Sequence, residues 1–114
     1  MAYDEELAGR IRAALSFHPD ITEKRMFGGL AFLAGGHMVA AASGNGGMML
    51  RVDPAGSARL LDGDRVRLVR MNGRDLAGWL YLEAESIEDE SGLRAWLDRG
   101  LAHVRTLPPK PAQS

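Results

Sequence analysis

The sequence predicts an α+β fold of two layers, with an antiparallel sheet of about five strands and helices on one of its faces. The expected element order is α-β-β-β(-β)-α-β-β-α. Three observations lead there. Stretches with helical periodicity stand near both ends of the chain. Between them lie short β-favouring runs separated by glycine pairs, links too short to cross over to a parallel neighbour. Asp53-Pro54 then interrupts those runs with a helix-opening signal. A chain of 114 residues is near the commonest size for one domain and buries enough surface to form a core without staples. That domain is expected over 1–109, with 110–114 as a disordered tail.

Residues 4–17 read as an amphipathic helix. Leu7, Ile11 and Leu15 fall on one face, and Asp4 is placed to cap it. Pro19 ends it, because the residue before a proline is pushed out of the α region. Strand-like runs follow at 21–27, 30–34, 37–43 and 48–52, with Gly35-Gly36 as a two-residue hairpin turn and 44–47 as another turn. Proline is tolerated at a first helical position, so a short helix is expected from Pro54 to about Leu61. The alternating stretch 65–70 is a half-exposed strand, and 79–83 is the last. Asn72-Gly73 and Gly78 bracket the turn region between them. A helix over about 86–107, with a later start permitted by Ser91-Gly92, carries the stripe Leu93, Trp96, Leu97, Leu101 and Val104, and Pro108 closes it.

Composition excludes several functions. There is no cysteine, so a disulfide framework, cysteine-rich zinc sites and thiol catalysis are out. A net charge of −1 gives no global pull toward nucleic acid or membrane. The start is acidic, unlike a signal peptide, and no apolar run approaches the roughly 20 residues that cross a bilayer. A cytoplasmic protein is expected. Locally, six arginines lie between Arg51 and Arg74, and six acids between Glu83 and Asp98. Two solvated faces explain that asymmetry better than a self-association device does.

Catalytic candidates are few. A phosphate loop needs its glycines between a strand and a helix. Here Gly28-Gly29 and Gly35-Gly36 separate strand-like runs, the first as a bulge or bend and the second as a hairpin. His18, His37 and His103 have no second ligand at metal spacing in the same element. No serine sits in a nucleophile elbow. His37 and its neighbouring glycines are the best enzymatic candidates, and a concave pocket with a buried carboxylate would promote them. No catalytic, cofactor-binding or metal-ligating residue is assigned, and no cofactor is expected.

A nucleic-acid reading would rest on the basic strand, Arg65, Arg67 and Arg70, followed by Arg74. Single-strand binders usually add stacking aromatics. Trp79 and Tyr81 share one face of their strand but read equally well as core, so direct binding is disfavoured. Met26, Met38, Met48, Met49 and Met71 lie in or beside predicted strands. Core packing is the favoured reading, and exposure would instead mark an interaction face.

The stretches TEKRMFGGLAFLAGGHMVAAAS, MMLRVDP, NGRDLAGWLYL and LRAWLDRGLAHVRTLPPK resemble the N-terminal domain of the TfoX/Sxy family over nearly the whole chain. Lys24, Arg25, Met26, Phe27, Gly28 and Gly29 form the most specific part. The resemblance implies an α+β fold similar to secretion chaperones. It also implies a role near competence regulators that act with a transcription factor, here as a stand-alone copy without the family's C-terminal domain. It carries over no catalytic or ligand residue.

The expected function is therefore a non-enzymatic protein-interaction module connected with transcription. It would work through a sheet face or a strand edge that pairs with itself or a partner. Met48, Met49 and Arg51 are the candidate contacts, for a protein partner or a homodimer, with Arg65, Arg67 and Arg70 beside them. An uncharacterised small-molecule or enzymatic domain is the remaining alternative.

Overall fold

The computed structural model describes residues 4–26 and 28–108. Phe27 of the glycine-rich stretch and the expected tail at 110–114 lie outside the described residues. Asp4 accepts hydrogen bonds from the backbone N–H groups of Glu6 and Leu7, and so starts helix α1, Glu5–Ala14. Four strands follow: β1 (Ile21–Met26), β2 (Gly29–Ala34), β3 (His37–Ala42) and β4 (Met48–Arg51). A 3₁₀ helix, Pro54–Leu60, leads to β5 (Val66–Met71) and β6 (Arg74–Leu82). A second 3₁₀ helix, Ala84–Ile87, precedes α2 (Glu90–Val104). The sheet is antiparallel throughout and its strands run in the order β1-β2-β3-β4-β6-β5.

The fold class is the one the sequence predicts, with six strands in place of about five. β1 falls on the expected strand-like run 21–27. It is an edge strand with an exposed middle, so ITEKRM needs little apolar content to pair with β2. β6 also begins earlier than 79. Asn72 and Gly73, at φ of 54° and 76°, make a two-residue hairpin turn, and pairing resumes at Arg74. Gly78 is a kink inside β6 and not the end of a turn. Its N–H meets Ser57 Oγ at 3.3 Å, and its carbonyl accepts from Val52 N at 2.8 Å. A Cβ at Gly78 would stand 2.9 Å from Pro54 Cγ, so the kink holds the 3₁₀ helix against the sheet.

The last helix starts later than Ser86. Asp89 caps it by accepting from Gly92 N at 3.2 Å, while Ser86 lies in the 3₁₀ turn and donates to the Arg65 carbonyl. Of the two readings of Gly28-Gly29, bulge or bend, the structure shows the bend, since Met26 pairs directly with Gly29 across the turn. A Cβ on Gly29 would lie 2.3 Å from the Ala42 carbonyl oxygen, so β3 approaches there as only glycine allows.

Both α-helices pack on one face of the sheet. Leu7, Ile11 and Leu15 of α1 and Leu93, Leu97, Leu101 and Val104 of α2 join Phe32, Val39, Met48, Leu50, Leu80 and Leu82 in one buried core. Between Phe32 and Leu33 the β2–β3 register shifts, which leaves Val39 unpaired and turned into that core.

Candidate functional site

Side chains alternate along a strand, so residues opposite a core residue share its face and their neighbours take the other. Met48 pairs with Leu82, and Leu50 with Leu80, all four fully buried beneath the helices. Met49 and Arg51 are opposite Tyr81 and Trp79, and these four are half-buried on the reverse face. The same alternation places Met26, Leu33, Met38, Val69 and Leu76 there. None of those side chains belongs to the helix-packed core. Among the described residues, neither α-helix covers this second face.

The face is concave. A basin of about 350 Å³ is lined by Met26, Leu33, Met38, Met49, Arg51, Val69, Met71, Leu76 and Trp79. It adjoins a wider cleft of about 820 Å³ through Met49 and Val69. The two ends differ in charge. In the cleft, Arg67 pairs with Glu83 at 2.7 Å and Arg70 with Asp75 at 3.4 Å. Arg67 also lies over the Tyr81 ring, 4.6 Å from its centroid. The Tyr81 hydroxyl accepts a hydrogen bond from Gly47 N at 3.1 Å, which ties the β3–β4 turn to β6. In the basin, Arg51 lies over Trp79 at 5.1 Å, with no ion pair to a carboxylate among the described residues.

The candidate contacts therefore divide. Met49 and Arg51 stand on the open face. Met48 is corrected: it is 0% exposed and belongs to the core, because its register with Ala42 and Leu82 turns it toward the helices. Arg67 and Arg70 line the polar cleft in ion pairs. Arg65 is exposed just before β5, and its carbonyl accepts from Glu83 N at 2.8 Å. Of the glycine-rich stretch, Lys24 and Met26 face outward opposite Ala31 and Gly29, whereas Arg25 is opposite core Leu30. Gly28 sits in the turn and Gly29 opens β2.

Sequence reasoning missed Leu33, Val69 and Leu76 as surface groups and put most methionines in the core. Of the described methionines only Met48 is fully buried, and Met71 is 45% exposed. Trp79 and Tyr81 are face residues as well. A usable signal was present: a two-layer fold should show polar residues at alternate strand positions, and LAFLA and HMV do not.

The histidines do not gather. His37 Nε2 is 2.6 Å from the Pro108 carbonyl oxygen, and its buried Nδ1 has no hydrogen-bond partner. It bonds the chain after α2 to the β2–β3 hairpin, and it lines neither cavity of the open face. His103 borders a third cavity of about 440 Å³ with Arg59 and Arg99, between the first 3₁₀ helix and α2. No cluster of three His, Asp or Glu side chains is placed to hold a metal ion among the described residues. No helix among them is long and apolar enough to cross a membrane.

Comparison with known proteins gives one match. A family model described as the TfoX N-terminal domain matches residues 13–104. No curated protein and no solved structure matches the chain.

Proposed function

Given that the chain belongs to the TfoX N-terminal domain family, we propose that it is a non-enzymatic, cytoplasmic protein-interaction module. Its partner is part of the transcription machinery, in a role related to competence regulation, and it docks on the helix-free sheet face. One observation carries this reading. Met49, Trp79, Leu33 and Met38 stay half-buried on a concave apolar surface while a complete core lies on the opposite side. Contiguous apolar surface left facing water on a small protein marks a contact site, because covering it releases the hydrophobic free energy still outstanding. Methionines suit such a surface, since an unbranched thioether reshapes to fit its partner.

The test is affinity capture of the tagged wild type and of Met49→Glu from nuclease-treated cytoplasm. The wild type should repeatedly recover a transcription factor or polymerase subunit, and the variant should lose it while keeping its thermal midpoint. Recovery of the same protein by both would remove the open face from the contact.

A second reading, single-stranded nucleic acid, is favoured by the Arg51–Trp79 and Arg67–Tyr81 stacks on that same face. It is the weaker one. Glu83 and Asp75 already neutralise Arg67 and Arg70, and the guanidinium groups occupy ring faces that bases would need. Salt-sensitive binding of an oligonucleotide, lost in Arg67→Gln/Arg70→Gln, would reverse that order.

A further inference from the structure

We infer that the element seated on the open face is an amphipathic α-helix of the partner protein, apolar along one stripe and bearing an acidic side chain that meets Arg51. This inference rests on the interaction reading above and names the chemistry of the docked element.

The floor of the face decides its form. β2, β3, β4 and β6 are each paired on both sides within the sheet, so their backbone N–H and C=O groups are already committed. A segment lying across them gains no backbone hydrogen bonds from the floor. An extended segment would press its own peptide groups unpaired against Met49 and Leu33, which is costly. A helix satisfies its own backbone and presents only side chains. Strand addition is left to the outer edges of β1 and β5. These carry Glu23, Lys24 and Arg25 on one side and Arg67 and Arg70 on the other, the charges that discourage edge pairing.

Charge decides the side chain. Glu83 on this face is bonded to Arg67, and Asp75 in the adjoining cleft to Arg70. Arg51 and Lys24 are left with no carboxylate among the described residues, so the surplus on the face is positive. Arg51 is half-buried beside Trp79 in an otherwise apolar basin. There a carboxylate is worth more than at an open surface, because less water screens the pair. Size fits as well. The basin crosses from Met26 of β1 to Val69 of β5, and six strands spaced about 4.8 Å apart span roughly 24 Å between the outermost two. A helix of about 16 residues covers that width at about 1.5 Å per residue.

The test uses two synthetic sixteen-residue helices with the same leucine stripe, one flanked by glutamates and one by lysines. The protein carries Trp96→Phe, which leaves Trp79 as its single tryptophan, since the chain has two. The glutamate helix should shift Trp79 emission and bind at least about tenfold more tightly than the lysine helix, the scale of one shielded charge pair. Arg51→Met should bring the two affinities together, and Arg51→Glu should invert them. Equal affinities for the wild-type residue, a preference for lysine, or no change in Trp79 emission would overturn the inference. So would equal binding by a glutamate peptide broken with a central proline. Sedimentation of the protein alone as a dimer that Arg51→Glu dissolves would give the face to a second copy instead. If both helices fail while Met49→Glu still abolishes partner capture, the helix is wrong and the interaction face stands.

Discussion

Gly100 of α2 rests directly on Leu50 of β4. A Cβ at Gly100 would stand 2.8 Å from Leu50 Cδ1, 3.0 Å from the Arg51 carbonyl oxygen and 3.2 Å from Val39 Cγ1. The absent side chain sets how closely the long helix approaches the sheet, and β4 presents Met49 and Arg51 on its far side.

That contact predicts the sign of a substitution. In an exposed helix interior, glycine to alanine gains up to about 1 kcal/mol. At Gly100 the new methyl meets backbone oxygen that cannot rotate away, and overpacking costs about 1–3 kcal/mol. Gly100→Ala should therefore lower stability, by about 1 kcal/mol net, in urea unfolding. An increase would mean that α2 stands further from β4 than the geometry requires.

Met48 and Met49 are neighbours with opposite surroundings, which makes them a direct test of the sheet's two faces. Met48 is fully buried among core residues, so Met48→Ala should cost about 2–5 kcal/mol. Met49→Ala removes a half-buried side chain outside that core and should cost under about 1 kcal/mol. Comparable losses in urea unfolding would show that the open face is as tightly packed as the covered one.

The element order and the hairpin at Gly35-Gly36 were legible in the sequence because periodicity and glycine pairs are local signals. The role of each strand residue was not. MMLRV contains one core methionine and one surface methionine, and only the pairing of Met48 with Leu82 and of Met49 with Tyr81 tells them apart. Trp79 was ambiguous for the same reason, since burial depends on which face the helices choose. The basin gathers residues from six strands, Met26 to Leu76 among them, and the turn chemistry of any one hairpin says nothing about that convergence. The kink at Gly78 hid the start of β6, because a glycine inside a strand looks like a turn until its contact with Pro54 is seen.

Tyr81 joins the polar cleft to the β3–β4 turn. Its hydroxyl is a partner for Gly47 N, and Arg67 covers its ring. Tyr81→Phe keeps the stack and removes the acceptor, leaving a part-buried N–H without it. A loss of about 1 kcal/mol is expected, with faster amide exchange at Gly47. Unchanged exchange there would show that the turn is held by its own Ser43–Gly47 backbone bond.

Acid should loosen the protein through two ion pairs that bind the helices to β1 and its approach. Arg105, just past α2, bonds both carboxylate oxygens of Asp20, the second through Nη2 at 3.0 Å. Arg12 of α1 donates to Glu23 of β1 at 2.5 and 2.9 Å. In each case the arginine's hydrogen bonds hold the carboxyl below its ordinary value, and burial opposes them only in part. A carboxyl with a lower value in the folded state contributes stability that is complete above the ordinary range near pH 4–5 and is lost as pH falls through the folded value. The contribution of these pairs should thus be level from pH 7 to about 5 and decline as pH falls below about 4. Each pair is substantially exposed, so its share is under about 1 kcal/mol and shrinks further in 1 M salt. Asp20→Asn should be less stable than wild type at pH 7, and the gap should narrow at pH 3, measured by urea unfolding at both. A gap of the same size at pH 3 would mean that Asp20 acts through its uncharged contacts in the turn and not through Arg105.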